Sequence, residues 1–254
     1  MIPQVRMQQL VDFLQQKRVC SIAEIAAYLQ VSEATARRDI SLLEKQGQVQ
    51  RIRGGVRCVD NTKPSGYIPY DETIEAKCQM FIKEKEAIGR YAASLIKPYD
   101  LVYLDSGTSV LAMVQHIQEK HANYVTNSIP AAQFLAAQGF SVFVTGGIYK
   151  SDTQSLIGAQ AWESIDHFCF TKGFFGTNGI DQLRGFSTPD WQESFIKEHC
   201  ANASREIYVL ADASKFQKSS HVYFLAYDEA IVITDNSLPE ELRGDSVVVV
   251  EVEA

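Results

Sequence analysis

Residues 21–57 read SIAEIAAYLQVSEATARRDISLLEKQGQVQRIRGGVR. Ser21 with Glu24 three residues on has the spacing of a capping box, in which the hydroxyl and the carboxylate each satisfy a backbone N–H at a helix start. Ile22, Ile25, Ala26 and Leu29 then recur on one helical face. Gln30-Val31 makes a short turn, and Ser32 can cap the next helix, EATARRDISLLEKQG. There Ala36, Ile40 and Leu43 fall at i, i+4 and i+7 and face inward, and Gly47 stands where such a helix ends. QVQRIRGGVR follows as two short β-like arms meeting at Gly54-Gly55, a small hairpin. Upstream, residues 4–16 repeat Val5, Leu10, Phe13 and Leu14 at helical spacing, with Met7 and Val11 beside them. Three short helices and a basic hairpin make a winged helix-turn-helix.

The surface of that unit has a chemistry. Burying Ala36, Ile40 and Leu43 leaves Glu33, Thr35, Arg37, Arg38 and Ser41 on or near the outer side. A helix fits the major groove of duplex DNA with its N-terminal residues nearest the base edges. Glu33 and Thr35 are therefore placed to read bases, and Arg37 and Arg38 to reach phosphate or guanine. Arg51, Arg53 and Arg57 on the hairpin are placed to reach the backbone or the minor groove. Asp39 is expected to bridge a neighbouring arginine. Charge agrees with this division: residues 1–57 carry nine Lys/Arg against five Asp/Glu, +4, and the rest of the chain carries −11 of the total −7. A basic head on an acidic body is the asymmetry of a chain in which one module touches a polyanion.

Residues 58–77, CVDNTKPSGYIPYDETIEAK, are polar and broken by Pro64, Gly66 and Pro69, and are read as a linker. The organisation expected is thus 1–57 for DNA, 58–77 as linker and 78–254 as the body. In the body, the short apolar strands LVYL (101–104), FSVFVT, EIYVLA, AIVIT and SVVVVEV alternate with helical stretches such as KEKEAIGRYAASLI and TPDWQESFIKEHCANAS. Continuous Val/Ile/Leu runs between helices indicate a mostly parallel sheet covered on both faces, an α/β fold. Asp105-Ser106-Gly107-Thr108-Ser109 follows a strand and opens a helix, where N–H groups and hydroxyls can cradle phosphate. Further strand ends carry Thr126-Asn127-Ser128, Thr145-Gly146-Gly147 and Gly176-Thr177-Asn178-Gly179. Ligands bind parallel sheets beyond such ends, so these loops converge on a candidate hydroxyl-reading pocket, with Lys150 and Lys215 as cations for an anion.

Over nearly its whole length the chain resembles the DeoR family of transcriptional regulators. The head carries the family's S-x-x-T-x-R-R-D-[IL] helix and R-x-x-G-G wing on Ser32, Thr35, Arg37, Arg38, Asp39, Ile40, Arg51, Gly54 and Gly55. Ala36 departs from the larger aliphatic residue usual there. The body resembles the family's in LDSGTSV, VTNSIPAAQFLA, VTGGIYK, FFGTNGID, GFSTPD and VLADASKF. The resemblance implies a body with the fold of ribose-5-phosphate isomerase and CoA transferases. It implies a phosphate loop on Asp105 to Ser109, further pocket positions on Asn127, Gly146, Gly147, Asn178, Gly179 and Lys215, and a sugar-reading role at Asn178, where many members have Ser or Asp.

The function expected is a sequence-specific regulator, a repressor of a carbohydrate operon that binds a DNA operator as a homo-oligomer and is relieved by a sugar phosphate. The alternative is a sugar-phosphate isomerase or group transferase on the same scaffold, for which Asp181, Asp190, Glu193 and Lys197 are candidates. Glu193 and Lys197, at i, i+4, also fit a surface ion pair, and Asp190 fits a helix start. The five cysteines lack a C-x-x-C pair and the five histidines lack ligand spacing, so neither disulfide nor metal is expected, and no cofactor. No signal peptide or membrane span is read, and a cytoplasmic location is expected.

Overall fold

The computed structural model describes residues 6, 7, 9, 10, 13, 14, 17, 19–45, 49–52, 55–58 and 66–253. Val5 and Val11 of the first helical pattern, Gly47, and Arg53 and Gly54 at the hairpin tip lie outside them. The chain divides into two compact units, Met1–Lys63 and Pro64–Ala254.

In the first unit the described residues between 6 and 17 are helical, followed by helices Ile22–Leu29 and Glu33–Lys45. Ser21 caps the former with both halves of the capping box made. Gln30 then takes a left-handed conformation, φ 53°, that turns the chain. Ser32 Oγ accepts from Thr35 N at 3.2 Å and starts the next helix. Leu10, Leu14, Ile25, Leu29, Ala36, Ile40 and Leu43 form one core. Strands Val19–Cys20, Gly55–Cys58 and Val49–Ile52 make an antiparallel sheet in that order, the wing. Asp39 is 3% exposed and takes a two-bonded ion pair from Arg6, at 2.6 and 3.0 Å, which ties the first helical stretch to the third.

The second unit is built on a seven-stranded sheet, every neighbouring pair parallel. Its order is Val247–Val250, Ile231–Asp235, Ser204–Leu210, Phe170–Gly176, Leu101–Leu104, Asn123–Thr126, Val142–Val144. Side chains alternate across a strand. Phe174 therefore joins Ile88, Val110, Met113 and Leu135 on one face, while Phe175 joins Ile196, Val209 and Val232 on the other. Helices Ile82–Ser94, Thr108–Val114 and Ile129–Ala137 cover the first face, and Trp191–Asn202 covers the second. From Leu101–Leu104 the sheet grows one way, and from Phe170–Gly176 the other. In open parallel sheets the ligand crevice lies beyond the strand ends at such a switch point, here residues 105–109 and 176–178.

Residues 66–77, within the 58–77 stretch read as linker, are folded into this unit. Gly66–Ile68 pairs with Lys218–Ser220 and Ile74–Cys78 is a short helix with its N-cap on Thr73. The backbone N–H groups of Gly66 and Ile74 donate to Gln217 O and Asp152 O, a use of the polar stretch that composition does not reveal. Among the described residues no helix is long and apolar enough to cross a membrane.

Candidate functional site

A cleft opens at the switch point. Gly107 and Gly176 meet there so closely that a Cβ on either would lie 3.0 Å from the other's Cα. Gly107 is also the N-cap of Thr108–Val114 and has no side chain to cap it, so this helix start presents its amides without an internal acceptor from the cap. Ser106, Gly107, Thr108 and Ser109 line the cleft, with Thr177, Asn178 and Lys215. Asp105 lies beneath, 1% exposed, accepting from Gly176 N at 2.9 Å and from Lys197 Nζ. Its other oxygen has no hydrogen-bond partner among the described residues. Lys197 also donates to Gly176 O at 3.1 Å, so the pair clamps the two loops together.

Two cations face the cleft without a carboxylate at ion-pair distance among the described residues: Lys85 and Lys215. Lys85 was not singled out from sequence. It sits in the first turns of Ile82–Ser94, 6% exposed, donating to Lys77 O. Burial pulls its pKa below the ordinary lysine value, the nearby Lys215 adds to that, and Asp212 works against it. A buried ammonium beside another cation is electrostatically primed for an anion.

The other sequence candidates fall in two groups. Asn178 reaches the cleft and donates to Asp71 at 2.7 Å. Lys150 is absent from the lining; it stands behind it, bonded to Asp190 at 2.7 Å and Glu193 at 2.8 Å. Burial opposes its charge, yet these two carboxylates hold its pKa above the ordinary value. Asn127, Gly146, Gly147 and Gly179 do not line the cleft. Asn127 is fully buried, accepting from Tyr103 Oη at 3.1 Å and donating to Leu156 O at 3.2 Å. Gly146 N donates to Ser164 Oγ at 2.9 Å. A Cβ at Gly147 would meet Ile157 O at 2.5 Å and one at Gly179 would meet Lys218 O at 2.6 Å, so both serve close packing. Glu193 and Lys197 do not pair with each other. Both are 4% exposed, and each turns to a different partner. Asp190 is the N-cap of Trp191–Asn202, accepting from Gln192 N and Glu193 N.

In the first unit, Glu33 and Arg37 form an exposed i, i+4 pair at 3.0 Å and Arg38 is exposed on the same helix. Thr35 Oγ1 lies 3.0 Å from Ser32 Oγ at the helix start. Arg51 stands opposite Val56 and Arg57 opposite Gln50 in the wing register. Arg53 lies outside the described residues.

A family model described as the DeoR-like helix-turn-helix domain matches residues 6–62, and one described as the DeoR C terminal sensor domain matches residues 80–236. The chain is similar to the uncharacterized HTH-type transcriptional regulator FruR of Bacillus subtilis, at 32% identity over 97% of this chain and 95% of that protein. It is similar to the putative aga operon transcriptional repressor of Escherichia coli O157:H7, at 31% over 94% and 89%. A third relative is the lactose phosphotransferase system repressor of Streptococcus mutans, at 29% over 94% of each. Among solved structures the ribose 5-phosphate isomerase A of Methanocaldococcus jannaschii aligns over 52% of this chain and 53% of that one, with 12% identity and a TM-score of 0.38. A likeness of that degree says nothing of activity.

Proposed function

This chain belongs to the DeoR family of transcriptional regulators, and on that premise we propose that it represses an operon of carbohydrate metabolism until a phosphorylated sugar occupies the cleft of its second unit. The observation that carries this reading is the meeting at one switch point of an uncapped helix start, Ser106 to Ser109, with Lys85 and Lys215. Hydroxyls, amides and two ammonium groups are the donor set that a phosphate monoester needs. Asp105 positions that loop through Gly176 and Lys197 and does not itself face the ligand.

On the DNA side, Ser32 sets the helix start, Glu33 and Thr35 face bases, Arg37 and Arg38 bind phosphate or guanine, and Arg51, Arg53 and Arg57 reach the backbone or the minor groove. One winged module spans few base pairs, so the reading includes a homo-oligomer that pairs modules on a repeated site. Sedimentation equilibrium should give a multiple of the 28.4 kDa chain mass; a monomer that persists on DNA contradicts this part.

The isomerase candidates are each engaged within the protein, Asp181 by Leu183 N and Tyr223 Oη. Asp190 is tied to a helix start and to Lys150, Glu193 to Lys150 and Thr153, and Lys197 to Asp105. Isomerisation needs a positioned carboxylate with access to the sugar carbons. The test is a thermal-shift screen with inorganic phosphate and a panel of pentose and hexose phosphates, run beside an isomerisation assay. Ligands that bind the folded state raise its midpoint by mass action. Stabilisation without turnover is expected; efficient turnover, or no stabilisation by any phosphate, overturns the reading.

A further inference from the structure

Residues 66–78 lie between the two family-matched stretches and belong to neither. They nevertheless form one wall of the cleft, contributing Asp71, Glu72 and Lys77. The wall is anchored by the Gly66–Ile68 pairing with Lys218–Ser220, by Ser220 Oγ donating to Ile68 O, by Ile74 N donating to Asp152 O at 2.9 Å, and by buried Ile74. Asp71 is held at both ends. Its Oδ1 accepts from Asn178 Nδ2 at 2.7 Å and from Lys77 Nζ at 3.0 Å, and its Oδ2 accepts from Lys77 Nζ at 2.8 Å. A carboxylate offers about four lone-pair sites, so Oδ2 keeps room for a further donor.

The cleft has a second acceptor of the same kind. Glu193 Oε1 accepts from Lys150 at 2.8 Å and from Thr153 Oγ1 at 2.9 Å, while Oε2 accepts from no described residue. Asp71 is matched by Lys77, while Lys150 is shared by Glu193 and Asp190. Carboxylate oxygens with lone pairs left over accept from the hydroxyls of a polyol.

We propose that residues 66–78 read the non-phosphate end of the ligand, with Asp71 as the specificity-determining residue and Glu193 as the second acceptor. The ligand class is then a phosphate monoester of a polyol rather than a bare anion. This rests on the cleft being the phosphate site. A site built around buried polar groups rejects an analogue that leaves them unpaired far more strongly than it rejects a misfit of shape. The contact that selects the ligand is made by a stretch of chain that lies between the two family-matched segments.

The test uses the full chain, as wild type, Asp71→Asn and Asp71→Ala. The probes are inorganic phosphate and a panel of neutral pentose and hexose phosphates. Each is titrated by thermal shift, with amide hydrogen exchange read over residues 66–78. Inorganic phosphate should stabilise all three proteins to a similar degree. A neutral sugar phosphate should bind wild type about 10- to 100-fold more tightly than inorganic phosphate, slow exchange over residues 66–78, and lose most of that advantage in both variants. The proposal is overturned if the variants keep the full preference, or if no sugar phosphate exceeds inorganic phosphate in wild type. Failure of every probe, inorganic phosphate included, strikes instead at the phosphate site itself. Asp71→Asn keeps the side chain's shape, and its ligand-free midpoint close to that of wild type establishes that it folds. The exchange comparison in wild type stands independently of either variant.

Discussion

Lys85 carries the clearest electrostatic signature in the cleft. Burial lowers its pKa, so in the ligand-free protein it loses its proton at a lower pH than an ordinary lysine. A bound phosphate favours the charged form. Sugar-phosphate affinity should therefore be flat below the depressed pKa and decline as pH rises through it, and Lys85→Met should weaken binding and remove the decline. Calorimetric titration from neutral into alkaline buffer reads this; an unchanged decline in the variant contradicts it. The free protein follows the same sign. A lysine with a depressed folded pKa makes folding less favourable below that pKa and regains the loss as pH rises toward the unfolded value. Gly107 makes a geometric prediction. A Cβ there must push against Gly176 Cα at 3.0 Å, so Gly107→Val should abolish stabilisation by phosphates and leave DNA affinity in place. Arg38, like Arg37, is exposed on the helix Glu33–Lys45, which the proposed function places against DNA. Arg38→Ala should weaken binding to DNA selected by this protein from a random pool. If Arg38 contacts phosphate, the slope of log K against log salt should fall by about one. An isotherm identical to wild type places the DNA face elsewhere.

At the scale of elements, the capping box that opens Ile22–Leu29 supports the first helix of the helix-turn-helix pair. Hydrogen bonds from the Ser21 backbone and side chain pull the Glu24 pKa below the usual carboxylate value. Its contribution is present above the unfolded pKa and fades as pH falls through the folded one. Ser21→Ala should destabilise the first unit by about 1 kcal/mol. Both tryptophans, Trp162 and Trp191, lie in the second unit. Circular dichroism should thus shift on denaturation while tryptophan fluorescence stays put; a shift in both would mean the units do not unfold separately. These elements were legible because their causes are local: Ser21 with Glu24, the Ala36, Ile40, Leu43 spacing, and the Val/Ile runs of the parallel sheet. The strand-to-helix turn at residues 105–109 was legible too, since an apolar run precedes it and a helix follows. Other residues were not, because their roles arise from distant partners. Lys85 is one of several charges in KEKEAI, and only the packing of its helix buries it. Asp71 sits in a polar stretch that composition reads as linker, and its partner Asn178 lies 107 residues away. Asn127 has the strand-end position of a ligand residue, but Tyr103 and Leu156 take its amide. Glu193 and Lys197 have the spacing of an ion pair on one helix, yet the buried face gives each a partner on another element.

At the scale of the whole molecule, the account joins two units in one chain, one for DNA and one for a phosphorylated metabolite. A ligand shifts a regulator only by as much as it prefers one arrangement over another, and that preference is reciprocal with the preference for DNA. The affinity of the full chain for its selected DNA, titrated by fluorescence anisotropy with and without a saturating sugar phosphate from the stabilising set, measures that linkage directly. The account predicts that the sugar phosphate lowers DNA affinity for wild type by at least about fivefold, while Gly107→Val binds DNA as wild type does and shows no response. An equal release of Gly107→Val from DNA, or a wild-type affinity indifferent to the ligand, would contradict it.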